Sequence, residues 1–195
     1  MKKALLTALI VIIVVVSLIL IIPMFGGIDH KKVFLEASQE NFIDYALQYE
    51  NFAKESSLTF VSSPASVTAQ GSYSQIYTLS SDSCKISVTV SNSNGYEIVE
   101  VSYGKHFDKD GSLQGISDET INSVISAYSL IGAVEITKND VLDVISNAEE
   151  SDGYYLYGYE RIEKCGDYPT YVSYSSDNPK SEELKLSGIT QKCKK

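Results

Sequence analysis

The sequence predicts an α+β domain, an antiparallel sheet packed with about three helices, preceded by an N-terminal transmembrane helix. Three observations lead there. A long charge-free run lies near the start. Apolar residues recur at helical spacing in three later stretches. Elsewhere they alternate with polar residues. Strands grouped in runs, apart from the helices, point to an antiparallel sheet rather than to alternating βα units.

The charge-free run is ALLTALIVIIVVVSLILII, Ala4 to Ile22, in which Thr7 and Ser17 are the polar side chains. At about 1.5 Å per residue it is roughly 28 Å long, the hydrocarbon thickness of a bilayer. A single helix satisfies its own backbone in lipid. The competing expectation is a cleaved secretory signal, whose apolar core is about 7–15 residues and ends at a small-x-small site. Here Pro23-Met24-Phe25-Gly26-Gly27 follows instead. The expected layout is a cytoplasmic stub over 1–3, a transmembrane helix over 4–25, a hinge over 26–32 and an extracytoplasmic domain over 33–195. Lys2 and Lys3 precede the run, while Lys31 and Lys32 after it are offset by Asp29, so the positive-inside rule leaves the N-terminus in the cytoplasm.

Residues 33–55 read as the first helix. Leu35, Phe42 and Tyr49 recur at seven, Tyr45 and Phe52 at seven between them, with Ala46 and Ala53 alongside. The pattern then switches to period two. Strands are expected over 58–62 and 75–80, then from Cys84 through Ile86, Val88 and Val90, whose partners Lys85, Ser87 and Thr89 are polar. Asn94-Gly95 supplies a hairpin turn, and residues 96–103 return. The apolar phase of that return slips at Ile98-Val99, which predicts a bulge. Asp110-Gly111 marks another turn. Ile121, Val124, Ile125, Tyr128 and Ile131 mark a second helix after Ser117 or Asp118, with Gly132 at its end. Thr137 and Asp140 form a capping box for a third helix with Val141, Val144, Ile145 and Ala148 inside. Asp152-Gly153 stops it. A tyrosine-rich strand, a Tyr168–Ser175 strand and a short one over 183–187 complete the order.

The formal net charge is −9, and every acidic residue lies after the apolar run. That excludes nucleic acid as a partner, since phosphate binding needs clustered Lys and Arg. The three cysteines, Cys84, Cys165 and Cys193, have no metal-like spacing. A Cys165–Cys193 disulfide is expected, closing a loop of roughly 30 residues and contributing about 2–4 kcal/mol. No cofactor motif is present. Asp108, Asp110 and Glu119 match three ligand positions of a calcium loop, but the position that needs glycine is Leu113, so the stretch reads as a turn and no metal is expected.

Catalysis has little to work with. Ser102 and Lys105 match S-x-x-K by letter, but late in a strand. An enzyme would need His106, since His30 lies beside the membrane segment. Glu149-Glu150 and Glu182-Glu183 read as solvated surface.

The tyrosines carry the sharpest signal. Seven of the 14 fall between residues 154 and 174. On a strand, Tyr155, Tyr157, Tyr159 and Arg161 share one face, and Tyr154, Leu156, Gly158 and Ile162 share the other. Tyrosine favours strands, and cross-strand aromatic pairs stabilise sheets. Tyr and Arg also dominate binding hot spots. The expected function is a single-pass, membrane-anchored extracytoplasmic domain of the cell envelope. It would bind an envelope protein or an extracellular ligand through Tyr155, Tyr157, Tyr159 and Arg161. The alternatives are a pilin-like subunit, because Lys2-Lys3-Ala4 resembles a prepilin processing site, and an envelope enzyme using His106.

Overall fold

The computed structural model describes residues 30–67, 73–82, 84–93, 96–106, 115–151, 155–165, 168–177 and 180–190, with side chains from residue 41 onward. The chain divides into two compact units, Met1–Glu40 and Asn41–Lys195. The first is described from its helical backbone at His30. The transmembrane helix expected over 4–25 lies outside the described residues. No described helix is long and apolar enough to cross a membrane.

The second unit has α+β architecture. Helix α1 (His30–Glu55) runs into it and ends where Ser57 takes a left-handed φ of 56°. The Leu58 amide then reaches back to the Ala53 carbonyl at 2.7 Å and that of Ser57 to Lys54 at 3.4 Å, closing the last turn as a Schellman motif. Strands β1 (Thr59–Ser62), β2 (Ser66–Val67), β3 (Tyr73–Ser80), β4 (Lys85–Ser93) and β5 (Tyr96–His106) follow. Then come helices α2 (Asp118–Ser129) and α3 (Lys138–Ser146), and strands β6 (Glu149–Ser151), β7 (Tyr155–Cys165), β8 (Tyr168–Asp177) and β9 (Ser181–Ile189).

All pairings are antiparallel. The order is β1-β3-β4-β5-β9-β8-β7-β6, with β2 added beside β3. The sheet therefore consists of two meanders, each preceded by helix and joined where β5 pairs β9. Short polar caps set the second pair of helices. The Ser117 hydroxyl accepts the Thr120 amide, and Thr137 and Asp140 make the capping box that the sequence predicts.

One sheet face is covered by helices and apolar. Along one row, Tyr77, Val88, Val101, Leu186 and Val172 lie side by side, and all are fully buried. Complete burial of an aliphatic side chain contributes about 1.5–3 kcal/mol. From α1, Phe42, Tyr45, Tyr49 and Ala53 enter this core. The other face carries mostly Ser, Thr and charged residues.

Three expectations need correction. The bulge expected at Ile98-Val99 is absent: the β4–β5 register runs unbroken from Ile86↔Tyr103 to Ser93↔Tyr96. Ile98 breaks the alternation because it pairs on the polar face with Ile189, which is itself only 4% exposed. A register shift occurs instead in β7, between Arg161 and Glu163. The short strand expected over 183–187 is a nine-residue strand at the centre of the sheet. Glu182 hid it, an acidic residue at an inward position. Finally, the third helix stops at Ser146, so Ala148 falls outside it.

Candidate functional site

Strand β7 alternates as the sequence predicts. Tyr155, Tyr157, Tyr159 and Arg161 occupy the face that no described helix covers. The three tyrosines are 40%, 47% and 52% exposed in chain order. Tyr155 and Tyr157 have ring centroids 6.5 Å apart with planes 11° from parallel, and Tyr157 and Tyr159 are 6.4 Å apart at 12°. The three phenols thus form one rack of near-parallel rings, within the about 4.5–7 Å range of interacting aromatic pairs.

What holds the rack lies on the opposite side of the strand. Gly158 points inward, and a Cβ there would lie 2.3 Å from the Val144 carbonyl oxygen. The glycine lets α3 rest directly on β7, so the strand that carries the rings is braced from behind. Regular pairing with β8 from Tyr155↔Asp177 to Arg161↔Tyr171 braces it from the side.

The neighbours decide the exposure. Opposite Tyr157 and Tyr159 on β8 stand Ser175 and Ser173, too small to cover a ring. Tyr171 joins the rack at its far end, its ring 5.0 Å from that of Tyr159. Loss of water, and then the Tyr171 phenol, push the Tyr159 hydroxyl up to about 12. Carboxylates mark the other end. Asp177 pairs with Tyr155, and Glu149 of β6 pairs with Tyr157. Rigid phenols among small hydroxyl residues are the composition of adaptable recognition surfaces.

The remaining candidates are not brought together. Among the described residues, no group of three or more His, Cys, Asp or Glu side chains is placed to hold a metal. Asp108 and Asp110 lie outside the described residues, and Glu119 sits in the first turn of α2. Ser102 and Lys105 are three apart on β5 and so face opposite ways. His106 ends β5 and pairs with Ser181, which is followed by Asp177 in the next strand. That row places serine between histidine and aspartate, whereas a relay needs the histidine in the middle. Cys84 is a free thiol. The Cys165 side chain and Cys193 lie outside the described residues, and with them the expected disulfide.

Two polar centres were missed from sequence. Glu182 is only 2% exposed, not solvated surface as expected. Burial raises its carboxyl above the ordinary value, and the Tyr174 hydroxyl donates to it at 2.9 Å. Its inward phase beside Leu184 and Leu186 was the available signal. Glu97 collects the Tyr45 hydroxyl at 2.5 Å, that of Thr190 at 2.9 Å and that of Tyr73 at 3.1 Å. Both are structural anchors, because their partners are core side chains. A cavity of about 310 Å³ opens between the end of α1 and the start of α2, lined by Ser57, Cys84, Lys105 and Glu119 among others. Burial and then Glu119 push the Cys84 thiol up, so it stays protonated and weakly nucleophilic.

No protein-family model, no curated protein and no solved structure matches the chain.

Proposed function

We propose that this chain is a membrane-anchored extracytoplasmic binding domain whose recognition surface is the Tyr155, Tyr157, Tyr159 and Arg161 face. One observation carries the reading. The protein places three stacked tyrosines on a braced strand and leaves them about half exposed, although it buries other tyrosines completely. Exposed aromatic area is lost to water unless a partner covers it. The charge-free run over 4–25 supports the anchor, and the excess of acid after it argues for a protein or neutral ligand rather than nucleic acid.

The test is photo-crosslinking in intact cells, with a benzophenone side chain at position 157. A specific adduct that disappears when Tyr155 and Tyr159 are both replaced by Ser is the expected result. An adduct indifferent to those changes, or none at all, would overturn the binding face. The anchor is tested separately by protease shaving: the domain should be digested from intact cells, and its survival until lysis would refute the orientation.

A further inference from the structure

We infer that the occupant of the tyrosine face is a second copy of this chain, packed about a two-fold axis that crosses the strands at Gly158. The inference rests on the binding-face reading above and adds the identity of the partner.

It comes from the order of groups along β7. Arg161 is the single arginine of the chain, against 16 lysines and arginines together. It stands at one end of the rack, on the same face as the rings. At the other end is a carboxylate, Asp177 beside Tyr155, with Glu149 beside the middle ring, Tyr157. Tyr155 and Arg161 are six residues apart, about 20 Å at roughly 3.4 Å per residue. A rack with a cation at one end and a carboxylate at the other complements itself when turned by a half rotation, which is the condition for an isologous interface.

Laid face to face in that way, each Arg161 meets Tyr155 and Asp177 of the other copy, and each Tyr157 meets the other Tyr159. The guanidinium suits that place better than an ammonium would. Its plane stacks on a phenol while its N–H groups pair a carboxylate. A partner of one charge would satisfy only one end of the rack. The chain's net charge of −9 opposes indiscriminate self-association, so the local ordering selects one register. Pairing with β8 is regular from Tyr155 to Arg161 and shifts immediately beyond it.

Sedimentation equilibrium of the full-length chain in detergent tests this. The wild type is expected to dimerise. Arg161→Glu and Asp177→Lys are each expected to weaken the dimer about tenfold or more. Both changes in one chain recreate the complementary pair and should restore it. That recovery excludes misfolding and excludes association through the N-terminal segment. A monomeric wild type, a dimer indifferent to both changes, or a double variant no better than the singles would overturn the inference. Crosslinking from position 157 separates it from the broader reading. An adduct of twice the chain mass supports the second copy, and an adduct only with a different protein refutes it while leaving the binding face standing. The absence of any adduct refutes both.

Discussion

Two sets of tyrosines, one around α1 and one along β7, use the same side chain in opposite ways. Under α1, Tyr45, Tyr49, Tyr73 and Tyr77 are between 0% and 7% exposed. Each hydroxyl has a partner there: Tyr49 donates to the Ala127 carbonyl at 3.0 Å, Tyr77 to that of Phe42 at 3.1 Å, and Tyr45 and Tyr73 to Glu97. Burial drives the phenols of Tyr45, Tyr49 and Tyr77 well above their ordinary range, so they remain neutral donors at any physiological pH. In β7 the rings lean on one another instead. The difference lies in the surroundings rather than the residue. Packing between helix and sheet encloses one set, and helix carbonyls and Glu97 of β5 supply its acceptors, while small serines and an open face leave the other to solvent. Tyrosine suits both roles because it joins a large apolar body to a polar tip.

The strongest way to break this comparison is to remove one ring of each kind. Tyr77→Ala should cost about 3–5 kcal/mol in chemical denaturation, as for other large aromatic truncations in a core. Tyr157→Ala should cost under about 1 kcal/mol, the scale of a cross-strand aromatic pair. Equal losses would show that the rack is part of the core. Next in size is Gly158→Ala. Its methyl would collide with the Val144 carbonyl, a backbone atom that moves only with α3. About 3 kcal/mol is expected, together with faster amide exchange in β7, because the brace behind the rings is lifted.

Glu97→Gln sharpens the buried side of the comparison. The carboxylate is the shared acceptor of three hydroxyls, and the amide offers one acceptor oxygen in place of two. Charge-assisted bonds of this kind contribute about 1.5–3 kcal/mol, and thermal unfolding should register most of that. The smallest effect is expected at Glu182. The fold holds its proton more tightly than the unfolded chain does, since its carboxyl is raised. Its contribution is therefore most favourable at acid pH and declines as pH rises from the ordinary carboxylate value through the raised one. Glu182→Gln should remove that decline. The variant should be more stable than the wild type at neutral pH and equal to it near pH 3, as read from denaturation at both pH values.

Much of this plan is legible from residues alone. Periodicity at Ile121, Val124 and Tyr128, alternation at Ile86, Val88 and Val90, and the Thr137–Asp140 box are local signals, and the elements stand where those signals put them. The outward set of Tyr155, Tyr157, Tyr159 and Arg161 is equally local, because strand parity assigns it. What was hidden depends on distant pairing. Ile189 is apolar on the polar face because Ile98 lies opposite, and Glu182 turns inward because Tyr174 lies within its reach. Tyr171 belongs to the rack, yet it arrives from another strand in a register that sequence spacing does not reveal.

The position of β9 has one more consequence, for the birth of the molecule. Ser181–Ile189 lies between β5 and β8, and among the described strands it alone carries the sheet hydrogen bonds from one meander to the other. Every hairpin before it is a neighbour-to-neighbour contact that can close early, but the seam waits for the strand that comes last in the sheet's chain order. Until that segment emerges the growing chain carries two unfinished half-sheets with raw edges, the condition under which strands stick to strangers.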